Sequence, residues 1–202
     1  MIININKNGK KESYKVIDSW EDVNLETWAA LVAASKGAKG NKAAEAMANI
    51  SHLSDIPQKL IKQLSLSDVS NLMGKLADIQ SRANTNLINK IEVDGKIYGY
   101  MPNLEEITLG EWADLESCIS DGIENSLTKI MAILYRPIVS TKGNFYTIEA
   151  YDVESKKLRE QVFKEMPAEQ VQSALLFFWT FVNELLKILP RFTTEKLKTM
   201  TS

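Results

Sequence analysis

Residues 21–28 read EDVNLETW, and residues 105–112 read EEITLGEW, 84 positions further along the chain. The match continues at the same offset, so that Leu31 falls on Leu115. A repeat of this length predicts a tandem duplication of one folding unit.

Each unit is predicted to begin with a β-hairpin. In the first unit, apolar and polar residues alternate on both sides of Asn8-Gly9. In the second unit, Asp94-Gly95 separates two such runs. Both dipeptides favour a type I′ hairpin turn, because the two central residues of that turn need a positive φ angle.

A helix is predicted to follow each hairpin. Asn24 and Thr108 stand at the N-cap position, where a side-chain oxygen accepts a hydrogen bond from the first turn of a helix. Glu111 completes the pattern of a capping box with Thr108. Trp28 and Trp112 then begin an apolar face at helical spacing, so we expect both rings in the core.

Two further helices are predicted to recur in both units. The earlier one runs from Lys42 to Ser51, and its counterpart runs from Ser126 to Tyr135. The last one starts near Ser67 in the first unit and at Pro167 in the second. Proline suits the first turn of a helix, where its missing N–H group costs nothing.

An insertion distinguishes the second unit. Residues 60–64 match residues 162–166, so the offset has grown from 84 to 102 positions. The extra residues lie at about 137–152, where Lys142-Gly143-Asn144 separates two β-branched and aromatic runs. This pattern predicts an additional hairpin arm. The arm would either contact a partner or complete the local sheet as a surface strand.

The pattern as a whole predicts a predominantly helical α+β fold. It consists of a tandem duplication of a β-hairpin followed by about four helices, with pseudo-symmetry. The units span residues 1–86 and 87–202, and we expect them to form one compact body. A chain of 202 residues with 45% hydrophobic content is sufficient for a buried core.

Composition argues against several classes of protein. The formal net charge is -2 with acids and bases interspersed, which does not favour nucleic-acid binding. The single cysteine is typical of a reducing compartment, and the first residues do not read as a signal peptide. The apolar stretch 174–189 is short for a membrane span and contains Asn183, Glu184 and Lys187. We therefore predict a cytosolic protein that contacts neither nucleic acid nor membrane.

Residues that could carry chemistry have structural explanations. His52 stands where the second unit has Arg136, and a cation is favourable near a helix C-terminus. Cys118 stands where the first unit has Ala34, so it is expected to pack as a small side chain. The sequence contains no metal-ligand spacing and no serine-centred elbow. We predict no catalytic residues, no metal and no cofactor.

Acidic pairs precede the first helix of each unit, at Glu21-Asp22 and Glu105-Glu106. Paired carboxylates can perform acid–base chemistry. Near the positive end of a helix dipole, however, they are also mildly stabilising. Because both units carry the pair, we interpret the pairs as structural.

The final helix differs most between the units. Residues 174–182 of the second unit are apolar nearly all round, whereas the counterpart in the first unit is amphipathic. Such a helix is either central to the core or presents an aromatic stripe to a partner. Together with the arm, it supplies the candidate protein-interface residues, which are Phe177, Phe178, Trp179, Phe181, Phe145 and Tyr146.

Three stretches resemble small tail-module proteins of tailed bacteriophages. They read NLEEITLGEW at residues 103–112, LYRPI at residues 134–138, and MPAEQV at residues 166–171, before the aromatic-rich helix. Proteins of this kind act as tail or baseplate assembly chaperones or as minor virion proteins. The resemblance covers the second unit best, and its motifs are structural.

The resemblance implies a non-enzymatic, protein-binding role in the cytoplasm of the infected bacterium. The partners would be other tail or baseplate proteins, with the tape-measure protein as one candidate. The alternative is a permanent virion component, such as a ring, connector or tail protein, that acts by self-association as a homo-oligomer. An uncharacterised cytosolic enzyme is the lesser alternative.

Overall fold

This computed structural model describes residues 1–7, 10–82 and 86–188. These residues contain eight α-helices and two small antiparallel sheets. This confirms the predicted class, a predominantly helical α+β fold. The elements of the first half are β1 (Ile2–Lys7), β2 (Lys10–Lys15), α1 (Leu25–Gly37), α2 (Lys42–Leu53), α3 (Gln58–Ile61) and α4 (Leu66–Ser81). Those of the second half are β3 (Lys90–Val93), β4 (Lys96–Tyr100), α5 (Leu109–Ser120), α6 (Ile123–Leu134), β5 (Tyr135–Lys142), β6 (Phe145–Ile148), α7 (Val153–Val162) and α8 (Ala168–Ile188).

Both predicted hairpins form. β1 pairs with β2, and β3 pairs with β4, each in antiparallel register. Asp94 and Gly95 have φ angles of 50° and 69°, as a type I′ turn requires. The predicted turn at Asn8-Gly9 lies outside the described residues.

The helix caps also form as predicted. The Asn24 side chain accepts a hydrogen bond from the Thr27 N–H, and Thr108 forms a capping box with Glu111. The acidic pairs lie in short 3₁₀ turns, Trp20–Asp22 and Leu104–Glu106, just before α1 and α5.

The predicted limits of one helix are wrong. α6 begins at Ile123, three residues earlier than predicted, and it ends at Leu134. Tyr135 and Arg136 belong instead to β5, where they pair with Tyr100 and Gly99 of β4. The helix ends early because its next residues form backbone hydrogen bonds with β4, a distant segment. The local sequence contains no sign of that pairing. Arg136 is therefore not a helix-terminal cation, although His52 does lie in the last turn of α2.

The inserted residues do form a hairpin, which completes the second sheet. The strand order is β3-β4-β5-β6, so the arm is joined to the second hairpin along one edge. Its Tyr146 ring lies against Gly99, and the Tyr146 hydroxyl donates to the carbonyl of Tyr100 at 2.7 Å. The structure thus favours the interpretation of the arm as part of the sheet, with β6 as its edge strand.

The core consists of two clusters, and each cluster contains a residue contributed by the opposite half. Leu25 of α1 is buried in the cluster built mainly from the second half. Ala168 of α8 is buried in the cluster built mainly from the first half. α1 packs against α6 and α8, and the 3₁₀ turn Trp20–Asp22 also packs against α8, so both join the halves.

A short backbone pairing, here called the internal junction, holds these two helix starts together. Asn24 and Pro167 form an antiparallel bridge. The Leu25 N–H donates to the Met166 carbonyl at 2.7 Å, and the Ala168 N–H donates to the Val23 carbonyl at 2.7 Å.

The order hairpin, 3₁₀ turn, two helices and a long final helix occurs in both halves. α1 and α5 begin 84 positions apart, and α4 and α8 begin 102 positions apart, which are the two offsets of the sequence repeat. Descent of the halves from one duplicated unit stays a prediction.

Candidate protein-interaction surface

Helix α8 buries one face and exposes another. Phe178 is only 1% exposed and Val182 is also buried, whereas Leu176 and Phe177 are 57% and 48% exposed. Trp179 and Phe181 lie between these extremes and pack against the core cluster. The predicted aromatic stripe therefore needs a correction: Phe178 belongs to the core and is not available to a partner. The helix serves both as a core element and as a surface.

A groove, here called the α8 groove, lies beside the exposed face. Phe177, Thr180 and Phe181 form one wall, and residues 101–105 form the other. Its volume is about 270 Å³. The Phe177 ring meets the buried Tyr100 ring edge to face, with 5.8 Å between the centroids. This contact holds Phe177 in place at the rim.

A second groove, the arm groove, shares the loop 101–103 with the first. Its other wall is formed by Arg136 and by residues 146–148 of the arm. Its volume is about 400 Å³. The loop itself is anchored, because the Met101 N–H donates to the Leu134 carbonyl at 2.8 Å. The structure thus brings the two predicted sites, α8 and the arm, to opposite sides of one loop.

The arm presents a single free aromatic side chain. Phe145 at its tip is 82% exposed, and Gly143 in the turn has a φ angle of 60°. Tyr146 instead points inward, where its hydroxyl donates to carbonyls of Tyr100 and Asn89. Phe145 is therefore free to contact a partner, while Tyr146 shapes the arm groove.

A buried ion pair supports the floor of the arm groove. The Arg136 guanidinium lies 2.8 Å from a Glu111 carboxylate oxygen, and both side chains are buried. Burial lowers the pKa of Arg136, and the Glu111 carboxylate opposes that change. Because Glu111 also accepts from Thr108 in the capping box, its oxygens are engaged in structure.

His52 and Cys118 line neither groove, whereas Glu105 lines the α8 groove and Glu106 lines the arm groove. Cys118 is buried, and burial raises the pKa of its thiol, which disfavours the reactive thiolate. Across the described residues, no cluster of three histidine, cysteine or acidic side chains is arranged to hold a metal ion. Nor does any helix in that part of the chain combine the length and apolar character needed to span a bilayer.

Most residues of the surface were not among the predicted ones, and Leu176, Met101 and Pro102 illustrate why. Leu176 lies within the predicted apolar run, and its exposure depends on the rotation of α8 against the core. Met101 and Pro102 line both grooves, yet they follow a strand and carry no motif. No sequence signal marks them, because their role arises from a contact between distant segments.

Comparison with models of protein families, with curated proteins and with solved structures returns no match for this chain.

Proposed function

We propose that this protein is a non-enzymatic binding factor in bacteriophage tail or baseplate assembly, and that it binds another tail protein through the α8 and arm grooves. The observation that carries the proposal is the exposure of Leu176 and Phe177 beside a groove. Contiguous apolar surface with a polar rim is typical of protein-binding sites.

The shape of the surface supports binding of an extended protein segment. Two grooves separated by the loop 101–103 suit a pair of apolar anchors on one partner. Binding energy at such interfaces concentrates in a few aromatic residues near the centre. Phe177 is the natural centre, since it is held by Tyr100 and still half exposed.

The phage context rests on the resemblance of residues 103–112, 134–138 and 166–171 to tail-module proteins. Two of these stretches form parts of the candidate surface, because residues 101–105 line the α8 groove and Arg136 lines the arm groove. We accordingly place the protein in the cytoplasm of the infected bacterium during tail assembly.

A binding assay tests the proposal. Tail and baseplate proteins of the same genome, the tape-measure protein included, are presented singly to the immobilised full chain. We expect at least one to bind, and the F177S variant to bind about 30-fold more weakly, as for a central aromatic anchor. Leu158→Ser is the matched control, because Leu158 is exposed on α7, which lines neither groove.

The outcomes separate the two parts of the proposal. If F177S binds as tightly as the wild type, the α8 groove is not the site. If no tail or baseplate protein binds, the assembly role is wrong. Mass spectrometry of purified particles then distinguishes an assembly factor, which leaves the particle, from a permanent virion component, which stays in stoichiometric amount.

A further inference from the structure

Two helix starts correspond, through the sequence repeat, to the two helix starts of the internal junction. Both of them are exposed. Leu25 and Leu109 are each the first residue of the first long helix in their half, yet Leu25 is buried and Leu109 is 83% exposed. Ala168 and Leu66 each begin the last helix of their half, yet Ala168 is buried and Leu66 is 88% exposed. Within the described residues, Leu66 and Leu109 are the two most exposed large apolar side chains.

The backbone at both open positions is suited to the same pairing. Thr108 and Ser65, the counterparts of Asn24 and Pro167, are the N-caps of α5 and α4. Leu109 and Leu66 are the first helical residues, so their N–H groups have no partner within their own helix. In the internal junction, the equivalent N–H groups donate across the pair to carbonyls of Met166 and Val23.

The surroundings of Leu66 are apolar and incompletely covered. Met131, Met166 and Val171 of the second half are fully buried. Their counterparts in the first half are only half-buried and pack at the edge of its core cluster; they are Met47, Leu64 and Val69. The first half therefore exposes the kind of surface that α1 covers on the second half.

The open surfaces lie on different halves and are not alike. Helix α1 of the first half packs on the second half, whereas no described segment covers Leu109 on α5 in the same way. The second half is covered by α1, whereas among residues 1–7, 10–82 and 86–188 no segment covers Leu66 on α4 in the same way. A contact between two unlike surfaces on two copies is heterologous. When it repeats from copy to copy, it produces rings or filaments.

We infer that copies of this chain associate head to tail: Thr108-Leu109 of one copy pairs with Ser65-Leu66 of the next and repeats the internal junction. The occupant of each open surface is thus a second copy. This inference does not rest on the proposed function, because Leu66 and Leu109 line neither the α8 groove nor the arm groove.

The contact between copies lacks the polar pairs of the internal junction. Within the chain, Lys164 faces Glu26 at 3.8 Å, but the counterpart of Glu26 is Gly110. The Asn24 amide donates to Glu165, but the counterpart of Glu165 is Gln63. The association therefore depends on the two leucines and the backbone pairing, which makes the leucines the residues to change.

Sedimentation velocity of the full chain over a concentration series tests the inference. We expect the wild type to form species larger than a dimer as concentration rises. L66E and L109E should each remain monomeric alone. Mixed one to one they should form a dimer and nothing larger, because each variant keeps one intact surface. Leu158→Glu, an exposed leucine on α7, is the control that should assemble like the wild type.

Several results would overturn the inference. A wild type that stays monomeric at its solubility limit excludes the contact. Assembly that survives either substitution, or a mixture of variants that stays monomeric, excludes the head-to-tail arrangement. Circular dichroism confirms that the variants are folded, which is expected because both side chains lie in solvent in the monomer.

A cross-linking measurement gives an independent readout. Opposed residues of an antiparallel bridge lie about 4.5–5.5 Å apart at Cα, within the range of a disulfide. Chains carrying S65C should cross-link to chains carrying T108C on mild oxidation, and neither should cross-link to itself. The unmodified chain is the negative control, because its own Cys118 is buried and should not cross-link. Equal self-linking by either variant would contradict a head-to-tail contact.

Discussion

The Arg136 guanidinium and the Glu111 carboxylate form an ion pair at 2.8 Å that is buried beneath the arm groove. The pair links strand β5 to the start of helix α5 and so ties the inserted hairpin to the body of the second half. No sequence pattern predicts this contact between the two segments.

Removal of one charge from this pair should destabilise the fold strongly. We expect Glu111→Gln to cost about 3–5 kcal/mol, because an unpaired guanidinium would remain buried. Glutamine preserves the capping box, so the loss reports on the charge. Urea denaturation measures it, with Glu116→Gln on the exposed side of α5 as control. The double variant E111Q/R136M should recover most of the loss; if it does not, the charge is not the cause.

The close approach of the arm to β4 should exclude any side chain at Gly99. A Cβ atom there would overlap the Tyr146 ring. We expect Gly99→Ala to lower stability by about 1–3 kcal/mol, the usual effect of overpacking. Gly74 in helix α4 has open space around it, so Gly74→Ala should raise stability by about 0.5–1 kcal/mol. Thermal unfolding distinguishes the two, and equal effects would contradict the packing described.

Truncation of the adjacent phenylalanines of α8 should lower stability by unequal amounts. Phe178→Ala should cost about 3–5 kcal/mol, since it empties a buried site. Phe177→Ala should cost about 1 kcal/mol, the value of its ring contact with Tyr100. Guanidinium denaturation of both variants provides the comparison. A similar loss in both would mean that α8 is rotated differently against the core.

Acid should destabilise the second half through Asp114. Hydrogen bonds from Lys156 and Tyr151 hold the pKa of this carboxyl below its usual range. A depressed folded-state pKa contributes stability above the unfolded pKa of about 3.9, and that contribution is lost as pH falls through the folded value. Asp114→Asn should therefore be less stable than the wild type at neutral pH, and the difference should shrink toward pH 3. Asp78→Asn on the exposed side of α4 is the control.

Local signals predicted the parts of the fold that depend on neighbouring residues. The Asp94-Gly95 turn and the Asn24 and Thr108 caps form as predicted, because a positive φ angle and a capping oxygen are properties of a few adjacent residues. The end of α6 was predicted wrongly at Tyr135, since the pairing of that residue with β4 competes with the helix.

The candidate surface was predictable by residue type but not by orientation. Phe177 and Phe178 are chemically identical, and only the rotation of α8 against the core exposes one and buries the other. The loop at Pro102 joins the α8 groove to the arm groove through contacts between distant segments, which leave no periodic pattern in the sequence.

By itself, the sequence determined the equivalence of Leu25 with Leu109, because equal spacing from matching residues is visible without a structure. Only the tertiary structure decided that Leu25 is buried and Leu109 is not. The physical reason is that burial depends on what the rest of the chain places over a residue. The bridge between Asn24 and Pro167 covers one helix start, and the part of the chain that the structure describes supplies no equivalent segment for the other.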